Sequence, residues 1–274
     1  MKKTVLFFGV LASLFFVSCK KEKKTTEESV TSAQSPEKFV IDSVSVEDST
    51  KISDKLALEY SSDVLVYPSV KDKALLDSIY FIYKGITDFS KKGLQDFLQK
   101  DKTDYFTETK NQSKEWIADL NYPQTWNTSF KMSQISQNEN FLQIEYLSSA
   151  YEGGAHDNYW FSNRVFDLKN NKKLVLSDIT TMPSAKLSQI LRKNMDNIHS
   201  GTTDSKGEVK NSDMLLVDVI PPNENFYFDE KNLYFHYSPY EIAAFAAGDI
   251  TIPVSWIDLK ETLKPDFAQK MNLQ

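Results

Sequence analysis

NENFLQIEYLSSAYEGGAHDNYWFSNRVFDLKNN, residues 138–171, is the stretch whose spacing decides the fold. Leu142, Ile144 and Tyr146 alternate with Gln143 and Glu145, the period-two pattern of a strand with one buried face. Asn138, Glu139 and Asn140 supply turn chemistry just before it. The spacing therefore predicts a hairpin of 126–137 with 140–151 and a third strand at 158–168. Asn170 and Asn171 then turn the chain into Leu174, Val175 and Leu176.

On the N-terminal side, 55–67 reads as one long strand or a strand pair that closes on Tyr67-Pro68. Leu75, Ile79, Ile82, Ile86 and Phe89 recur at three- and four-residue spacing, the stripe of an amphipathic helix. Leu94, Phe97 and Leu98 continue it beyond Gly93, and a second helix is predicted over 106–120. On the C-terminal side, Leu187, Ile190, Leu191, Asn194 and Ile198 mark another helix, and 200–213 reads as a loop. Strands follow at 226–229, 232–238 and 249–255, separated by a short bend at 239–248. Helices and antiparallel hairpins in separate blocks define an α+β protein, with antiparallel sheets and helices packed on one face.

The first residues carry an address. Lys2 and Lys3 precede an apolar run from Val5 to Val17, about 13 residues, which fits a signal sequence and falls short of a membrane span. The run ends in Phe16-Val17-Ser18-Cys19, and Cys19 is the only cysteine. A small residue before a lone cysteine is the pattern cut by lipoprotein signal peptidase, so 1–18 is expected to be removed and Cys19 to be acylated. An unpaired thiol in an oxidising compartment would otherwise be a liability. Lys20, Lys21, Lys23 and Lys24 form a basic cluster beside the lipid, suited to anionic headgroups. The segment from Thr25 to Thr50 is rich in Ser, Thr and acidic residues, so 19–51 is expected to be a lipidated tether. The expected location is the cell envelope, lipid-anchored in the outer membrane and facing the periplasm or the cell surface. No acidic run follows Cys19, which favours the periplasmic face.

The full chain has 32 basic and 38 acidic residues; loss of Lys2 and Lys3 leaves 30 against 38, or about −8. That balance argues against nucleic acid and favours cationic partners. With Cys19 lipidated, neither a disulfide nor a cysteine-based metal site is available.

Chemistry is sparse. The sequence has no G-x-S-x-G, H-E-x-x-H, P-loop or G-x-G-x-x-G pattern. His236 lies in the alternating run 233–237 and is expected to face outward, and His199 lies near a helix C-terminus, where a cation suits the dipole. His156 stands apart because it closes the segment Tyr151, Glu152, Gly153, Gly154, Ala155, His156, Asp157. Paired glycines between two strands permit positive φ or close backbone approach. The bland interpretation is a bulged turn with a hydrogen-bonding histidine. The sharper one is a metal or acid–base cluster of His156, Asp157 and Glu152, which distant residues would have to complete. Tyr159, Trp160 and Phe161 follow the turn, and Phe226, Tyr227, Phe228, Tyr234, Phe235, Tyr237 and Tyr240 crowd the last hairpin. Alternation sends about half of such aromatics inward, and the rest form a strip suited to sugar rings or a protein partner.

Three motifs together resemble a known family: Y-x-G-G-A-H at 151–156, F-D-L-K-N-N-K-K-L-V-L-S-D-I at 166–179, and L-Y-F-H-Y-S-P-Y-E-I-A-A-F-A-A-G-D-I-T-I-P at 233–253. It is the extracellular domain of lysozyme-sensing anti-sigma factors of the RsiV type, which also precedes the catalytic domain of PdaC-type peptidoglycan deacetylases. Residues 67–79 resemble the start of the companion N-terminal domain of that pair. The resemblance implies two related subdomains, 52–152 and 153–262, followed by a tail at 263–274. It lends no sigma-binding segment and no metal-binding deacetylase domain. It therefore implies a non-catalytic module that binds a lysozyme-like muramidase or peptidoglycan, without cofactor or metal. The motif residues carried over as binding candidates are Tyr151, Gly153, Gly154, His156, Asp157, Tyr159, Trp160 and Tyr240. An envelope enzyme acting on cell-wall polymer, or a structural lipoprotein, are the alternatives.

Overall fold

The structure is a computed structural model and describes residues 39–273. The expected signal sequence, Cys19 and the basic cluster lie outside the described residues. The first element is a strand, β1 (Asp42–Lys51), followed by β2 (Leu56–Val66). The two pair antiparallel from Asp42 opposite Val66 to Lys51 opposite Ala57. This corrects the expected tether, which ran to residue 51. Val44 and Val46 alternate with Ser43, Ser45 and Glu47, and only the two valines are buried. Two apolar residues are a weak signal alone, and pairing with the strongly apolar β2 makes the strand.

Two helices connect β2 to the next strand. The first, α1 (Lys73–Ile79), is capped by Asp72, whose carboxylate accepts the Leu75 N–H. It stops at Ile79, so Ile82, Ile86 and Phe89 pack from a turn rather than from the expected longer helix. The second, α2 (Lys91–Ser113), starts at the Ser90 cap and runs unbroken through the place where a separate helix was expected to begin. Gly93 sits in its first turn because a Cβ there would lie 2.3 Å from the Asp88 side chain.

The long strands β3 (Gln124–Gln137), β4 (Phe141–Tyr151) and β5 (Asn158–Asp167) then appear as the alternation predicts. With the short β6 (Lys172–Lys173) they complete a sheet in the order β1-β2-β3-β4-β5-β6. Only β2 and β3 pair in parallel, since α1 and α2 carry the chain back across the sheet between them. The boundary expected at 152/153 cuts through the β4–β5 hairpin, so the sheet is continuous across it, and the chain from Phe39 onward forms one compact unit.

After β6 come α3 (Leu176–Ile179), α4 (Ser184–Met195) and a two-residue hairpin, β7 (Thr203–Asp204) with β8 (Gly207–Glu208), inside the expected loop. Strands β9 (Phe226–Phe228), β10 (Asn232–Tyr237) and β11 (Ile250–Ser255) form a second sheet in the order β11-β10-β9. Two short helices close the chain, α5 (Trp256–Leu259) and α6 (Pro265–Lys270). None of the described helices is long and apolar enough to cross a membrane.

Burial divides the apolar residues into two clusters. Leu142, Ile144, Tyr146 and Phe166 join Leu75, Ile79, Leu94 and Leu98 beneath α1 and α2. Phe141 and Val165 join α4, α6 and the core face of β9–β11. Strands β4 and β5 therefore bury side chains on both faces, and this is why polar residues end up inside. Asp167, at 1% exposure, accepts the N–H groups of Lys169 and Asn170 and pairs with Lys270 at 2.7 Å. Its burial opposes ionisation, but the bonds from Lys270 and Asn170 prevail and hold the carboxyl below its usual range.

Candidate functional site

The Gly-Gly turn between β4 and β5 and the 238–249 bend after β10 come together at one end of the second sheet. Gly153 has φ +90° and Gly154 φ +120°, conformations that side chains rarely adopt. A Cβ on Gly153 would also meet the Gln124 side chain at 3.2 Å and the Trp126 indole at 3.6 Å, whereas Gly154 faces open space. Valine at either position is expected to cost about 1–3 kcal/mol, more at Gly153, and thermal unfolding checks it. A Gly153→Val, Gly154→Val protein that melts like wild type would remove the argument.

The turn delivers His156 onto Phe245. Their rings stack at 3.7 Å between centroids with 12° between planes. His156 Nδ1–H donates to the Asp157 carbonyl at 2.9 Å, which leaves Nε2 as the acceptor for the Tyr240 hydroxyl at 3.3 Å. Tyr159 lies along Phe245 at 6.3 Å and donates its hydroxyl to the Asp157 carboxylate. Tyr240 closes the group at 5.5 Å from Phe245. The Tyr151 hydroxyl donates to the Gly154 carbonyl and braces the turn.

Tyr240 is the unusual member. Ser238, Pro239, Tyr240 and Glu241 make a turn closed by Glu241 N–H on the Ser238 carbonyl, and Tyr240 has φ +66°. Proline second and a positive φ third describe a type II turn, whose third position is ordinarily glycine. The Glu241 carboxylate accepts the Ser238 N–H and clamps the turn. The chain thus holds a strained tyrosine, 55% exposed, over a histidine–phenylalanine stack.

Two of the expected residues fall elsewhere. Trp160, 44% exposed, points to the opposite face of β5 towards Phe81, as its neighbour Tyr159 dictates by alternation. Glu152 lies on the α2 side near Tyr105, whose phenol is pushed up to about 12 by its own burial and, to a lesser extent, by the Glu152 charge. Glu152 makes no hydrogen bond or ion pair with His156, and no three His, Cys, Asp or Glu side chains converge as a metal set among the described residues. Both His156 nitrogens are engaged by the turn and Tyr240, so the imagined His156, Asp157 and Glu152 centre is not assembled.

Sequence reasoning missed two features. Phe245, the platform of the stack, is a lone aromatic among alanines with no periodicity to mark it. His236 was expected to face outward, yet it is only 3% exposed. At His236 the outer face of β10 is covered by β5, whose Phe161 ring lies 4.7 Å from the imidazole. Asn163 Nδ2 donates to His236 Nδ1 at 2.8 Å, so His236 Nε2–H donates to Asp249 at 2.9 Å. That bond holds the Asp249 carboxyl below its usual range, against its partial burial. His199 lies just beyond the end of α4, exposed, and pairs with Glu208.

Comparison with known proteins places this site within a recognised fold. Residues 163–256 match the family described as Protein of unknown function (DUF3298). A crystal structure of a DUF3298 family member from Bacteroides fragilis NCTC 9343 is similar at 20% identity, with a TM-score of 0.70 over 86% of this chain and 98% of that one. A DUF3298 family protein from Pseudomonas aeruginosa PAO1 is similar at 12% identity, with a TM-score of 0.53 over 84% and 96%. No curated protein matches. Residues 163–256 are therefore similar to that family, and the chain shares the fold of these two structures. The matched stretch contains His236, Tyr240, Phe245 and Asp249 but begins after the Gly-Gly turn.

Proposed function

We propose that this chain is a cell-envelope lipoprotein whose globular part is a non-catalytic binding module for a lysozyme-like muramidase or for peptidoglycan. The observation that carries the reading is Tyr240, an exposed ring kept where glycine would relieve the backbone. Leu216 is exposed, and its N–H bonds to the Ile242 carbonyl, two residues along the chain from Tyr240. Asp157 and Glu241 flank these rings. Aromatic anchors with an acidic rim fit a cationic protein surface, and the overall acidity of the chain agrees with it. The RsiV- and PdaC-type resemblance favours the same class of target.

The experiment is capture of the detergent-solubilised mature protein by immobilised lysozyme and by insoluble peptidoglycan, each with and without chelator. Retention by one of them, unchanged by chelator and without release of glycan products, is expected. Chelator-sensitive product release would overturn the reading. The anchor has its own check. Cys19→Ala is expected to move the protein from the membrane fraction to the soluble one, because the basic cluster alone holds weakly and only at low salt. A variant that stays with membranes in high salt would contradict lipidation at Cys19.

A further inference from the structure

A second surface lies away from the His156 stack, on the outer side of the second sheet. Tyr227 and Tyr234 are direct cross-strand partners on β9 and β10, and their rings stack at 4.9 Å and 11°. They lie on the face opposite the core residues Phe226, Phe228, Leu233 and Phe235. Across from them, a bulge between Gln134 and Ser136 interrupts the β3–β4 ladder and leaves Ile135 exposed. The cleft between these walls measures about 640 Å³, within the range of ligand pockets.

We propose that this cleft binds a saccharide, with one sugar ring laid against the Tyr227–Tyr234 pair. The Tyr234 hydroxyl is committed to Asp229, and the Gln143 amide to Phe228. The Tyr227 hydroxyl and the Asn138 side-chain N–H groups make no hydrogen bond among the described residues. Ser136 Oγ accepts from Gln143, so its own proton is available. Glu230 and Lys231 stand exposed at the rim with no ion pair among the described residues. An alkyl chain in this cleft would desolvate the hydroxyls and the amide without pairing them. A phosphate would meet Asp229 and Glu230 with Lys231 as the one lining cation. A sugar ring satisfies both parts: its C–H face meets the negative face of a tyrosine ring, and its hydroxyls pair with the uncommitted donors and acceptors.

The cleft is separate from the His156 face, and its probes are soluble saccharides read at Tyr227 and Tyr234, so its failure is distinguishable from failure of the proposed function at Tyr240. The test is titration of the detergent-solubilised mature protein with tetrasaccharides of β-1,4-linked N-acetylglucosamine, cellulose type and starch type, followed by calorimetry. At least one is expected to bind, about tenfold more weakly in Tyr227→Ser, and less so in Tyr227→Phe, which keeps the ring and loses the hydroxyl. Ligand-induced shifts of the Tyr227 and Tyr234 ring resonances in the wild-type protein provide a readout that does not depend on a variant folding. Absence of saccharide binding, shifts confined to other residues, or undiminished binding by a folded Tyr227→Ser would overturn the proposal.

Discussion

Gln143→Leu is expected to destabilise the fold by about 2–5 kcal/mol, which corresponds to a fall in melting temperature of roughly 5–15 °C. The side chain is 3% exposed and acts as a substitute strand. Its Nε2 donates to the Phe228 carbonyl at 2.8 Å, and its Oε1 accepts the Phe228 N–H at 2.8 Å. A third bond runs to Ser136 Oγ. The six-stranded sheet is thus joined to β9 through one amide that imitates a backbone. Leucine fills a similar volume and removes the cost of burying an amide. It also leaves the Phe228 N–H and C=O buried without partners, and that penalty is the larger of the two. Gln143→Glu should not rescue stability, because it sets a carboxylate oxygen against the Phe228 carbonyl. Thermal unfolding followed by circular dichroism gives the answer, and a leucine variant with the wild-type melting temperature would show that this staple carries no weight.

The same residue shows how far the sequence speaks. Gln143 sits at a polar position of an alternating strand, and alternation alone assigns it to solvent. The period-two pattern was sufficient for β4, β5, β10 and β11 because their core faces are rich in large apolar residues. It cannot report that a second sheet covers the other face. Gln143, Asn163 and His236 were therefore legible as strand residues and illegible as buried ones. β1 was missed for the opposite reason, since Val44 and Val46 give too short an apolar pattern to stand out from the Ser-rich tract around them. At the candidate site, the Gly-Gly pair and His156 were marked by composition, and both glycines do hold positive φ. Their partner Phe245 comes from more than eighty residues away in a segment without periodicity, so only the folded chain brings the two rings together.

Tyr240 carries the larger functional prediction. Tyr240→Gly places the residue favoured by a type II turn where the strained tyrosine stands. The backbone relief and the greater freedom of glycine in the unfolded chain are each about 1 kcal/mol and opposed, so stability should change little. Binding should not be spared. An exposed aromatic at the centre of a recognition face typically accounts for more than 1 kcal/mol, and here its hydroxyl also fixes His156. The expected loss is roughly 10- to 100-fold in affinity for the target. A residue that served only the turn would leave binding intact.

The direct measurement is a calorimetric titration of wild type and Tyr240→Gly with a lysozyme-type muramidase, run beside co-sedimentation of both proteins with insoluble peptidoglycan and a melting curve for each. The wild type is expected to bind one of the two targets, and Tyr240→Gly, melting within a few degrees of it, to bind that target at least tenfold more weakly. Equal binding by a folded Tyr240→Gly, or no binding of either target by the wild type, would contradict the proposed function.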